Sequence, residues 1–469
     1  MSLELLRAAA TPVLSVVLGW SMMWGGTCGV VSAAAPDAAE PGADAAVGQG
    51  QVISFSGLLS EPTDGKDSIL RRFDVVLIQS EQREFFCVRD DARAGCPWPE
   101  SYGTFHRQDD PTALQPHLLY PFQEHAWAIN LPPLAVSLPD GTDVGTSWDQ
   151  GGWTMTVLEQ RLIDECACWV VEARERRGRR QNLLFDAASG VLHSARSEVF
   201  MGKGEKFHLD LKRTATNVLN AEVAAPVSEL QDDLLALQKA LGRRPDSELR
   251  ELTPRQVAAA VSFPERLHRK SEGTPLQELV MRLTLDLDRQ KKRLAATASR
   301  AEEIIDTAAP EFALNLVSGG SLESAELRGK FVVLHFWDYR DQPLAEPYGQ
   351  TGYLDFLYNQ RRKQNVQVLG ISTSPDFQNN DALGRARRSV RKLVEFMNLT
   401  YPIAWDDGSL LRALGDPRDN AGQLPLWVVL SPDGKVAHYH AGYYEIDLAR
   451  GLKDLDDLLI QQIRSSTGE

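Results

Sequence analysis

The chain has 469 residues, 43% of them hydrophobic and 24% charged, with a formal net charge of −14. That length accommodates two or three domains, each with its own core. An acidic balance of this size argues against nucleic acid and anionic lipid as partners, because either needs a field of opposite sign; the basic cluster Arg385–Lys392 reads as a solvated helix face.

At the N-terminus, Arg7 leads into the apolar stretch Pro12–Trp24, too short for a mature bilayer span, and small residues follow at Ser32, Ala33, Ala34 and Ala35. Residues 1–35 therefore read as an export signal peptide, which would anchor the chain if left uncut. Cys28 follows Gly25-Gly26-Thr27, a poor version of the pattern that precedes a lipidated cysteine. Residues 36–51 are rich in Ala, Gly, Pro and Asp, have too few apolar side chains to fold, and read as a disordered tether. No second apolar run of about twenty residues occurs. The expected mature chain thus has no transmembrane span and resides in the periplasm or another exported location, where disulfides persist.

Residues 52–214 read as a β-rich antiparallel domain. Its clearest part is a meander of strands at Cys168–Arg174, Gln181–Phe185, Val191–Phe200 and Lys206–Leu211, with turn residues between them. Trp127, Trp148, Trp153 and Trp169 are expected to fill its core or rim. Residues 215–308 switch to a 3.6-residue period and form a helical connector. Three capping boxes are legible there: Ser228 with Gln231, Thr253 with Gln256, and Thr274 with Gln277. The first helix carries Leu230, Leu234, Leu237 and Leu241 on one stripe and stops at Gly242.

Residues 309–469 alternate buried strands with helices. Strands are expected at Phe331–Trp337, Val366–Thr373, Leu426–Leu430 and Val436–Ala441, and helices at Leu344–Lys363, Arg387–Met397 and Ile446–Ile463. The order β-α-β-α-β-β-α implies an α/β unit with a largely parallel sheet. Within it stand Pro310-Glu311-Phe312, the run Leu327–Trp337, Gly370-Ile371-Ser372, Tyr401-Pro402-Ile403 before Asp406, and Leu424–Trp427 leading into Pro432-Asp433-Gly434-Lys435. Taken in order, these resemble the thioredoxin superfamily, specifically its exported TlpA-like branch and the AhpC/TSA redoxin branch. The fold class is α+β multidomain: a β-rich domain, a helical connector and a C-terminal thioredoxin fold.

In that family a Cys-x-x-Cys follows the strand ending Phe-Trp, at a helix N-terminus that stabilises a thiolate. Here the turn reads Asp338-Tyr339-Arg340-Asp341-Gln342-Pro343-Leu344, so that by register Asp341 and Leu344 replace the two cysteines. No cysteine occurs after Cys168, which excludes dithiol chemistry within this domain. The resemblance implies a binding surface at Trp337, Tyr339, Arg340, Asp341, Leu424 and Pro425, with Pro425 matching the family's cis-proline. His438 and His440 alternate on one strand face, but without a third soft ligand nearby no metal is assigned to them. His335 is expected as a hydrogen-bonded core residue. No cofactor is implied.

Removing the signal leaves Cys87, Cys96, Cys166 and Cys168 as disulfide candidates, all in the β-rich domain. Cys87 and Cys96 bracket a short loop. Cys166 and Cys168 share a strand face with Cα atoms about 6.5 Å apart, near the upper limit for a disulfide. They form either a redox pair or, joined to the upstream cysteines, structural staples. Two functions follow. In one the protein is a non-catalytic binding or scaffold module whose partner is another exported protein or peptide segment. In the other it is a thiol–disulfide oxidoreductase using Cys166 and Cys168.

Overall fold

The computed structural model describes residues 50–63, 67–80, 83–90, 102–105, 116–122, 125–175, 179–243, 251–338, 350–405, 407–420 and 422–467. The expected signal peptide, Cys28, Cys96 and the turn residues Tyr339, Arg340, Asp341 and Leu344 lie outside them.

The N-terminal domain is one curled antiparallel sheet. Its strands are β1 (Gln51–Glu61), β2 (Ser68–Gln79), β3 (Glu84–Asp90), β4 (Tyr102–Phe105), β7 (Ser147–Gln150), β8 (Trp153–Ile163), β9 (Cys166–Glu175), β10 (Arg180–Asp186), β11 (Leu192–Met201) and β12 (Glu205–Val218). They lie in the order β4-β3-β2-β1-β12-β11-β10-β9-β8-β7, while β5 (His117–Phe122) and β6 (His125–Asn130) form a separate hairpin. Period-2 alternation sends Val75, Leu77, Phe86, Trp169, Val171, Phe185, Phe207 and Leu209 to the inner core, which that hairpin also covers. Trp127, Trp148 and Trp153 pack around it partly buried.

On β2 and β3 the alternate residues Val76, Ile78, Phe85 and Cys87 face the other way, into a second core made with the helices. Burial on both faces explains the unbroken apolar run Val75–Ile78. The helices are α1 (Ala221–Leu241), α2 (Pro254–Ala260), α3 (Pro264–Ser271) and α4 (Gln277–Ile304). The leucine stripe of α1 is buried there, and Gly242 closes the helix in the left-handed region at φ 58°.

The capping boxes were legible in part. Thr253 and Gln256 make both reciprocal bonds. Around Thr274 the bracket is displaced: its hydroxyl accepts from Leu276 N, while Gln277 Oε1 accepts from Gly273 N. Ser228 lies inside α1 and is not its N-cap, because the helix begins at Ala221 under Asn220, whose side chain accepts from Glu222 N. Pro226 is carried inside the helix, so it does not mark the start.

The C-terminal domain has a seven-stranded mixed sheet in the order β14-β13-β17-β16-β15-β18-β19. Its strands are β13 (Ala313–Leu316), β14 (Ser321–Glu323), β15 (Phe331–Trp337), β16 (Val366–Ser372), β17 (Ile403–Trp405), β18 (Leu426–Leu430) and β19 (Val436–Ala441). β15, β16 and β17 run parallel, whereas β18 and β19 are antiparallel additions. The helices are α5 (Thr351–Arg361), α6 (Asn380–Met397), α7 (Ser409–Leu414) and α8 (Lys453–Thr467). Three short strands, β13, β14 and β17, were not read as strands in the sequence. The long α4 joins this domain to the rest: Arg300 donates from Nε to Leu414 O at 3.1 Å and from Nη2 to Ala413 O at 2.7 Å. Among the described residues no helix is long and apolar enough to cross a membrane.

Candidate functional site

A side-chain cluster forms at one end of the β-domain, where two hairpin turns lie together. The β8–β9 turn reverses in two residues, Asp164 and Glu165, both left-handed at φ 49° and 63°. This turn delivers Cys166 and Cys168 to the face of β9 opposite Trp169 and Val171, which point into the inner core. Cys168 lies directly across from Asp186 at the end of β10. Asp186 Oδ1 accepts from Ala188 N and Ser189 N at 3.0 Å each, an Asx turn that leads the chain into β11. There Leu184 pairs with Ser194 and Phe185 with Leu192, so His193 is an extra residue in a β-bulge. A bulge re-aims its side chain, and His193 is brought to the two thiols: a ring nitrogen and both Sγ atoms all lie within 4.8 Å of one another.

The fifth side chain comes from β12. A second bulge, at Thr214, precedes the pairing of Arg213 with Phe55. The Arg213 guanidinium donates twice to Asp186 Oδ2 at 3.2 Å and from Nη2 to Cys166 Sγ at 3.5 Å. The Cys166 thiol in turn donates to Asp186 Oδ2 at 3.1 Å. Outside this group Asp164 lies 3.9 Å from His193 Nε2 and 3.4 Å from Lys212 Nζ.

Burial dominates the electrostatics of the cluster. Burial, reinforced by the neighbouring Cys166, pushes the Cys168 thiol up to about 12. Burial also works against the Asp186 charge, but bonds from Cys166, Ser189, Ala188 and Arg213 outweigh it and hold the carboxyl below its ordinary value. Burial and then the Arg213 charge lower His193, so its ring is neutral near pH 7. The arrangement offers two thiols and a neutral imidazole beside a guanidinium that is already ion-paired.

Among the described residues all three cysteines are free thiols. Cys87 sits fully buried on β3 between sheet and helices, its thiol pushed up to about 12 by burial. In the sheet, β2, β1, β12, β11 and β10 separate it from β9. The structure thus brings Cys166 and Cys168 together and leaves Cys87 apart.

In the C-terminal domain the antiparallel pairing of Phe336 with Leu426 sets Leu424 and Pro425 beside the end of β15, at Trp337. The Leu424–Pro425 peptide is cis. Trp337 is buried and Leu424 half-buried, and Thr373 from the end of β16 donates its backbone N–H to Trp337 O at 2.8 Å. This is the carboxyl edge of the parallel strands, where open α/β sheets hold their ligands. Arg418 stands close by, held by Asp416 through bonds of 2.6 to 3.0 Å, with the Asp338 charge adding to the rise in its pKa.

His335, Trp427 and His440 form one cross-strand row. His335 is fully buried and stacks on Trp427 at 3.9 Å between ring centroids. Contrary to expectation, neither of its ring nitrogens has a hydrogen-bond partner among the described residues. His438 and His440 do share a face, with ring centroids 6.4 Å apart, but their neighbour is aromatic: His438 Nε2 bonds the Tyr444 hydroxyl at 2.9 Å, and His440 stacks on Tyr444 at 4.1 Å. Burial, then His438, pushes His440 down to about 4.

Sequence reasoning missed His193, Asp186 and Arg213. Nothing in the sequence marks His193, because the bulge that re-aims it exists only in the pairing of β10 with β11.

Residues 305–439 match the family model described as the AhpC/TSA family. Thiol-disulfide oxidoreductase ResA of Geobacillus kaustophilus is 28% identical over 29% of this chain and 70% of its own length. The corresponding protein of Geobacillus thermodenitrificans is 29% identical over 28% of this chain and 66% of its own. Among solved structures, a secreted disulfide oxidoreductase of Mycobacterium tuberculosis aligns with a TM-score of 0.24 at 21% identity, over 32% of this chain and 95% of that one. A thiol:disulfide interchange protein of Chlorobium tepidum aligns at 0.25 and 17%, over 34% and 96%.

Proposed function

The C-terminal domain is a redoxin of the thioredoxin superfamily, and from that premise we propose that the chain is an exported protein whose thioredoxin-fold domain binds another polypeptide without exchanging disulfides. One observation carries this: a redoxin fold is built from a stretch, 169–469, that contains no cysteine. A thiolate is the nucleophile of dithiol exchange, and neither Asp341 nor Leu344 supplies sulfur. What remains at the carboxyl edge is the neighbourhood of Trp337, Leu424 and Pro425, to which the family resemblance adds Tyr339, Arg340 and Asp341 as recognition residues. The partner is an exported protein or an extended segment of one. Export is supported by the apolar N-terminal stretch with its small-residue boundary.

The test uses the mature chain and reduced, carboxymethylated α-lactalbumin as an extended, thiol-blocked probe. Fluorescence anisotropy should show binding that Leu424→Glu weakens at least fivefold with an unchanged circular dichroism spectrum. Equal binding by the variant would overturn the assignment of the surface, and no binding by the parent would overturn the reading.

A second reading makes the chain a thiol–disulfide oxidoreductase through Cys166 and Cys168, favoured by their position on one face with Arg213 at 3.5 Å from Cys166 Sγ. It requires insulin reduction that Cys166→Ser abolishes; absence of turnover in the parent chain removes it.

A further inference from the structure

We infer that Cys166, Cys168 and His193 form a binding site for a soft monovalent metal ion, Cu(I), at the turn end of the β-domain. The site is independent of how the thioredoxin-fold domain is used. Three ligand atoms already lie within 4.8 Å of one another. A d¹⁰ ion with sulfur at about 2.3 Å and nitrogen at about 2.0 Å would set them roughly 3.5–4 Å apart. Side-chain rotation of well under an ångström per residue closes that gap. The ligands stand on β9 and β11, held in register by β10 between them. Ligands on strands are placed more reproducibly than ligands on loops.

Donor chemistry selects the ion. Two thiolates and one imidazole make a soft set, suited to Cu(I) in trigonal geometry. Zn(II) on the same three ligands would need a water or a further side chain to complete its tetrahedron, whereas trigonal Cu(I) is complete with these three. The nearest carboxylates are engaged, Asp186 by Arg213 and Asp164 by Lys212. Binding replaces both thiol protons with one Cu(I), releases two protons to solvent and transfers no electron. The bound set carries one negative charge and the Asp186 carboxylate, 3.1 Å from Cys166 Sγ, a second; the Arg213 guanidinium, bonded to Asp186 and 3.5 Å from Cys166 Sγ, balances one of the two. His193 supplies a neutral ring, the state in which imidazole ligates. A disulfide across Cα atoms about 6.5 Å apart on a regular strand sits near the upper limit of that bond's geometry, whereas a metal ion spans two such thiols from the middle of its range.

The experiment is competition for Cu(I) between the reduced, mature chain and bathocuproine disulfonate under argon, followed by X-ray absorption on the loaded protein. One equivalent of Cu(I) should be withdrawn and show two sulfur ligands and one nitrogen. Cys166→Ser, a change at a half-buried site, should weaken binding at least a hundredfold, and His193→Gln at least tenfold. Cys87→Ala and Cys96→Ser should leave it within twofold. No withdrawal of Cu(I) would overturn the proposal. So would unchanged affinity in either ligand variant, or tighter binding of Zn(II) with four ligands. The oxidoreductase reading is separable, because a disulfide between Cys166 and Cys168 would open at a potential indifferent to His193→Gln.

Discussion

His335 offers a sharp test of the physical account. Its ring is fully buried, stacked on Trp427 at 3.9 Å, and without a hydrogen-bond partner for either nitrogen among the described residues. Burial alone pushes its pKa down to about 3 from its ordinary 6.5. Replacing it with phenylalanine keeps the stacked ring and removes two buried polar atoms, each of which costs about 1–3 kcal/mol when unpaired. After the tighter fit of a slightly larger ring, His335→Phe should stabilise the domain by about 1–2 kcal/mol at pH 7. The gain should grow on acidification. Below the unfolded pKa the unfolded chain binds a proton that the folded chain refuses, so wild-type stability falls with pH from 6.5 towards 3 by about 1.4 kcal/mol per pH unit. At pH 5 the variant should therefore lead by a further 2 kcal/mol or about that. Hydrogen–deuterium exchange read on peptides spanning 331–337 and 426–430 isolates this domain. His440, pushed down to about 4, and His438 give slopes of the same sign, so the informative quantity is the difference between variant and parent. A variant less stable at pH 7, with a pH slope matching the parent's, would refute the reasoning.

Two further outcomes concern packing and charge. A methyl on Gly57 overlaps the buried ring of Phe73, so Gly57→Ala should destabilise the β-domain by about 2 kcal/mol or more, visible as faster exchange in β1 and β2. Asp456 takes paired bonds from Arg361 at 2.6 and 2.9 Å and one from Arg450 at 3.0 Å. Burial opposes its charge, but those partners hold the carboxyl below its ordinary 3.8. Its contribution is therefore complete above pH 3.8 and is lost as pH falls through the lower folded value. Asp456→Asn should cost about 3 kcal/mol at pH 7 and flatten the acid limb, as read on peptides from 453–467.

The sequence by itself determined the elements whose pattern is local. Apolar runs bounded by turn residues located Phe331–Trp337, interrupted only by His335, and Leu426–Leu430 to the residue, and alternation after the Pro432–Gly434 turn located Val436–Ala441. The box Thr253–Gln256 was legible because both of its bonds form within one turn. The order of strands and helices, with the Phe-Trp strand end, was enough for the thioredoxin fold. Ile403–Trp405 escaped notice because three residues carry no period, and it is a strand only because β16 and β13 supply its partners. The cysteine pair was visible as a spacing, but its surroundings were not. Cys166 and Cys168 come from β9, Asp186 from β10, His193 from a bulge in β11 and Arg213 from β12. A bulge shifts side-chain phase by one residue, and such a shift depends on the pairing of two strands rather than on either one. The tertiary structure alone therefore decided which charges and which imidazole the two thiols meet.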